Sequence, residues 1–107
     1  MPEFALIFRP TRPVPPDDLP RRNNAAREWA LALRRDGKVT AAAPLEDAGF
    51  AVTEKSVTPV SPERAVGAVL VIQAKDLDSA VALVKGHPGL AYGTEIEVRP
   101  LKVVPPK

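Results

Sequence analysis

Hydrophobic positions along the chain fall into two kinds of pattern. Phe4-Ala5-Leu6-Ile7-Phe8 and Val69-Leu70-Val71-Ile72 are short, continuous apolar runs. They are too short for helices and apolar at odd and even positions alike, which predicts strands over 4–8 and 66–74, buried on both faces. Elsewhere the apolar residues recur at three- and four-residue spacing. Ala26, Trp29, Ala30 and Leu33 make one such stripe, predicting a helix from 19 or 20 to 36. Asp17 and Asp18 stand where a cap and a favourable N-terminal charge belong. Pro20 suits the first turn, and Gly37 the position just past the end. Leu77, Ala80, Val81 and Val84 make the second stripe. Asp76 reads as its N-cap, with Ser79 three residues on, and Lys85-Gly86 closes it.

Three weaker strands complete the pattern. Residues 38–43 form one, ended by Pro44. Residues 50–57 form a short one, either an insertion or part of a hairpin. Residues 94–101 form the last, where Glu95, Ile96, Glu97, Val98 and Arg99 alternate charged and aliphatic. The order is β-α-β-(β)-β-α-β. The fully apolar strands should be central and the mixed ones at the edges, which is the 4-1-3-2 antiparallel sheet of a ferredoxin-like α+β fold. Two helices cover one face of such a sheet, yet the central strands present apolar residues to both. A second copy packed face to face is the simplest cover, so a homodimer is expected. Val71→Asp is expected to abolish folding, because an unpaired buried charge is too costly.

Composition narrows the class. The length of 107 residues fits one domain over 1–107. Thirteen prolines punctuate the chain, chiefly at Pro10–Pro20, at Pro59 and Pro62, and at Pro105 and Pro106. Elements must lie between these groups, since proline breaks helix and sheet interiors. The absence of cysteine excludes disulfides, thiolate chemistry and cysteine-ligated metal sites. Fifteen cations face 13 anions, a balance that argues only weakly for nucleic acid, which calls for a concentrated basic face. The RNA-binding mode of ferredoxin-like sheets also needs aromatics on strands one and three, and strand three has none. The N-terminus lacks the basic start and apolar core of a signal peptide, and no run approaches a membrane span. A cytoplasmic protein with no membrane or nucleic-acid partner is expected.

A family resemblance rests on the second half of the chain. It reads Val66-Gly67-Ala68-Val69-Leu70-Val71-Ile72-Gln73-Ala74-Lys75-Asp76-Leu77-Asp78-Ser79-Ala80, then Gly86-His87-Pro88-Gly89, then Tyr92-Gly93-Thr94-Glu95-Ile96-Glu97-Val98-Arg99-Pro100-Leu101. This resembles the YCII-related family in its DGPF branch: a strand, a D-x-D-x-A helix start, an H-P turn and an I-E-V-R-P-L ending. The front half agrees in outline. The resemblance implies a dimeric α/β barrel. It also implies an active pair built from a histidine on the first helix and an aspartate in the turn after the second. Here Ala25-Ala26-Arg27-Glu28-Trp29 holds no histidine, the turn carries His87, and Thr58-Pro59-Val60-Ser61-Pro62 stands where Asp-Gly-Pro-Phe is expected.

Five residues carry the candidate chemistry. His87 is the only histidine, hence the only side chain with an ordinary pKa near neutrality and the natural acid/base. Its plain alternative is a solvated turn residue before Pro88. Asp36 lies seven residues after Trp29 at a helix C-terminus, where an acid is mildly unfavourable. It is a candidate functional carboxylate, or else an ordinary Asp-Gly turn. Glu97, with Glu95 and Arg99, lies on one side of the last strand, where carboxylates could share acid and base work or simply form a wet edge. Trp29 could stack on a ligand or pack in the core. Arg9 could bind an anion or be a strand-end surface charge. No phosphate loop, metal-ligand cluster or Ser-His-acid set is legible, and no cofactor is expected. Two functions follow. One is a small cofactor-independent enzyme acting on a small organic acid or lactone, with His87 as acid/base oriented by Asp36 or Glu97. The other is a non-catalytic dimeric small-ligand-binding or accessory protein. A pocket holding His87 and a carboxylate would mark the enzyme, and a sealed interior with His87 in solvent the binding module.

Overall fold

The structure, a computed structural model, describes residues 1–61 and 65–103. The elements run β1 (Glu3–Pro10), α1 (Leu19–Arg35), β2 (Val39–Pro44), β3 (Phe50–Val52), β4 (Val57–Pro59), β5 (Ala68–Gln73), α2 (Leu77–Val84) and β6 (Thr94–Pro100). Short 3-10 turns at Pro16–Asp18 and Pro88–Tyr92 precede α1 and β6. The main sheet has the order β2-β5-β1-β6, and every pairing in it is antiparallel. The two apolar runs are its central strands and the mixed segments its edges, as expected of a ferredoxin-like α+β fold. Pro62, Pro105 and Pro106 lie outside the described residues.

Local chemistry sets the helix ends. At the end of α1, Gly37 takes φ 72°, Gly37 N–H donates to Arg34 O at 3.0 Å, and Lys38 N–H to Leu33 O at 2.9 Å. This pair of bonds satisfies two carbonyls the helix leaves unpaired and turns the chain into β2. At the start of α2, Asp76 accepts a hydrogen bond from Ser79 N–H at 2.8 Å, which holds its carboxyl below the usual carboxylate range. At the start of α1, Asp18 makes no such cap. Its carboxylate instead accepts from Arg21 at 2.7 Å, and the 3-10 turn leads the chain into the helix.

Both helices pack on one face of the sheet. Phe4, Leu6 and Phe8 from β1 and Leu70 and Ile72 from β5 meet Ala80 and Val84 of α2, with Trp29 and Ala30 of α1 and Ile96 and Val98 of β6 against them. Leu6 and Ile72 are completely buried, and each stabilises the fold by about 1.5–3 kcal/mol. Side chains alternate along a strand, so Ala5, Ile7, Val69 and Val71 point to the other face, where the single chain leaves them half-buried. The expectation of burial on both faces therefore fails for one chain alone. Val71→Asp therefore places its charge on the open face, whereas the position buried under the helices is its neighbour Ile72.

Residues 50–57 are not one strand. β3 and β4 pair as a separate two-stranded hairpin, with Thr53 and Ser56 closing its turn. No helix among the described residues is long and apolar enough to cross a membrane.

Candidate functional site

His87 enters its position through the end of α2. Its N–H donates to Val84 O at 2.9 Å, and Pro88 then disfavours helical backbone at the residue before it. His87 is accordingly extended (φ −71°, ψ 129°) and opens the 3-10 turn. This directs the imidazole inward, between β1 and α1. Its ring meets Phe8 at 5.0 Å and Trp29 at 4.7 Å, both edge to face. The residue is 6 % exposed, which replaces the picture of a solvated turn residue.

Both ring nitrogens can be assigned roles. Nδ1 accepts from Gly89 N–H at 2.9 Å. Burial disfavours the charged ring and lowers its pKa from 6.5 to about 4. At neutral pH the imidazole is therefore neutral, and with Nδ1 accepting, its proton sits on Nε2. Among the described residues no group takes the Nε2 proton, yet no sealed side-chain nitrogen or oxygen lacks a partner. The Nε2 edge is thus the side of the ring that keeps a trace of solvent access.

Gly89 makes this geometry possible. A Cβ there would lie 3.0 Å from both Cε1 and Nδ1 of His87 and 3.1 Å from Thr94 Oγ1, too close without displacement. The turn is strapped from the proline-rich loop. Thr11 N–H donates to Gly93 O at 2.9 Å, the Thr11 hydroxyl joins the same carbonyl, and Arg12 donates to Ala91 O at 3.1 Å. Gly93 has φ 84°, and a Cβ on it would lie 2.6 Å from Arg12 Cγ.

The other candidates lie apart from His87. Asp36 is exposed at the end of α1 and lines a groove of about 620 Å³ with Lys38, Lys75, Ser79 and Leu83, from which His87 is absent. Glu97 accepts from Arg9 at 2.7 Å and has Arg99 at 3.6 Å. Ile7, which pairs with Glu97, points away from the helix layer, so Arg9 and Glu97 occupy the open face while Phe8 and His87 lie beneath the helices. Neither acid orients His87, and the expected pairing is corrected on that ground. Trp29 is half-buried and spends its contact on His87. Phe8 and Gly89 escaped the sequence reading. The His-Pro-Gly turn was a signal for Gly89; Phe8 in an unbroken apolar run offered none. Among the described residues no group of three or more His, Cys, Asp or Glu could hold a metal ion.

No family model matches the chain, and no curated protein is significantly similar to it. Among solved structures it is similar to 5-chloro-2-hydroxyhydroquinone dehydrochlorinase from Burkholderia phenoliruptrix AC1100, in complex with 2,5-dihydroxybenzoquinone. The TM-score is 0.49 and the identity 21 %, over 88 % of this chain and 90 % of that one. At that distance no residue or ligand is carried across.

Proposed function

We propose that this chain is a YCII-like protein of dimeric α/β-barrel type, one domain over 1–107, that holds a small organic molecule at His87. The observation carrying this reading is a neutral imidazole wedged between two aromatic rings, with Nδ1 occupied by Gly89 N–H and Nε2–H without a partner among the described residues. Such a ring is a pre-oriented hydrogen-bond donor for a carbonyl, carboxylate or phenolate oxygen, and the aromatic edges favour an apolar body behind it. If the protein turns its ligand over, a neutral histidine contributes by polarising that oxygen. A pKa of about 4 makes it a weak base at pH 7, and no carboxylate reaches it to raise that value. The binding reading is therefore preferred to the acid/base enzyme.

The dimer is supported by the open sheet face, where Ala5, Ile7, Val69 and Val71 form an apolar centre bordered by the Arg9–Glu97 pair. Exposed apolar patches of this kind mark association surfaces.

The test uses the fact that His87 is the only histidine. Its ring ¹⁵N signals are followed while small organic acids, lactones and phenols are titrated in. One class is expected to move the Nε2 signal with saturation, and His87→Phe to lose that ligand. A ring that ignores every class would sink the binding reading.

A further inference from the structure

We infer that the β3–β4 hairpin is an arm that packs on a second copy of this chain, extending the sheet-to-sheet contact past the β2 edge; the inference rests on the dimer proposed above. Phe50 is opposite Pro59 and Val52 opposite Val57, and directly opposed residues share a face. One face of the hairpin is therefore wholly apolar. It is also bare: Phe50 is 70 % exposed, Val52 72 % and Val57 63 %. An isolated two-stranded hairpin is marginal in water, and strands with uncovered edges and an apolar face invite pairing with other chains. A surface like this needs an occupant.

Area and continuity point to a second copy. Four strands about 4.8 Å apart, each some six residues long at about 3.3 Å per residue, present a flat face of roughly 400 Å². A stable protein–protein interface buries roughly 800 Å² per partner. Side-chain relief makes the accessible area of that face larger than its flat outline, so it approaches this size, and the hairpin that continues the β2 edge carries further exposed apolar surface. Leu45 N–H donates to Gly67 O at 3.0 Å, carrying the β2–β5 ladder one step beyond Pro44, and Gly49 O accepts from Val60 N–H at 2.9 Å to open the hairpin. The arm thus grows out of the edge strand of the sheet. The outline agrees: the radius of gyration is 15.2 Å and the thinnest extent 20 Å, against about 13 Å expected for the radius of a compact chain this size.

Sedimentation equilibrium on the wild type and on Phe50→Asp/Val57→Asp tests the arm. The wild type is expected to dimerise at micromolar concentration. The variant is expected to keep its circular dichroism spectrum and His87 ring signals but to dissociate roughly 100-fold more readily, as for loss of two interface anchors. An unchanged dissociation constant overturns the arm and leaves the dimer standing. A monomeric wild type overturns both. If the variant does not fold, amide exchange of the wild type decides: protection over 50–59 should rise as concentration passes from monomer to dimer, and its constancy overturns the arm.

Discussion

Burial of His87 has a measurable consequence for stability. The folded protein resists protonating a ring whose pKa is lowered from 6.5 to about 4, so below pH 6.5 the unfolded chain binds more protons than the folded one. Stability from this group is fully present above pH 6.5, falls as pH drops towards 4, and levels off below that, for a total loss of at most about 3 kcal/mol, less what solvent screening removes. Urea melts at stepped pH check this against His87→Phe, which should flatten that part of the profile. Gly89→Ala probes the same ring from its partner. The new methyl meets Cε1 and Nδ1 at 3.0 Å, so the Gly89 N–H bond to Nδ1 should break and stability drop by about 1–3 kcal/mol. Ring ¹⁵N shifts should then lose the signature of a single Nε2–H tautomer; an unchanged spectrum would show that the turn absorbs a side chain.

At the level of elements, the turn before β6 and the proline-rich loop are held as one unit. Gly93 serves it twice, through its positive φ and by leaving room for Arg12. Gly93→Ala should therefore destabilise by two separable amounts. The left-handed backbone costs about 1–2 kcal/mol, and the Arg12 clash adds to it. Adding Arg12→Ala to Gly93→Ala should restore the steric part only, so the double mutant melts above Gly93→Ala and below the wild type. Equal melting points for the two variants would mean that Arg12 swings clear at no cost. The α1 ending shows the opposite economy: Gly37 meets nothing within 4 Å, so its role is conformational alone.

For the whole molecule, neighbouring positions on β5 separate folding from assembly. Ile72 is completely buried under the helices, whereas Val71 is half-buried on the open face. Ile72→Asp should not fold, since an unpaired buried charge costs several kcal/mol, on the order of the whole stability. Val71→Asp should fold and remain monomeric. Circular dichroism and sedimentation separate the two outcomes, and an unfolded Val71→Asp would mean that the chain has no stable form outside the proposed dimer.

What the amino-acid order determines by itself is the two helices and four strands of the main sheet, which of those strands are central, and the helix ends at Gly37 and Asp76. These follow from interactions within a few residues: apolar spacing, proline punctuation and caps. Even the sheet order was legible, because the runs apolar at every position take the central places, flanked by a strand on each edge. Tertiary structure decided the rest. Whether residues 50–57 made one strand or a hairpin depended on a four-residue turn whose hydrogen bonds join Thr53 to Ser56. Whether His87 faced water depended on Phe8 and Trp29, 79 and 58 positions away in sequence, converging on one spot. Whether Asp36 or Glu97 could serve it depended on which side of the sheet, and which end of α1, each occupies. Spacing along a chain encodes faces of single elements; burial, a lowered pKa and the partners of a ring are properties of several elements packed together.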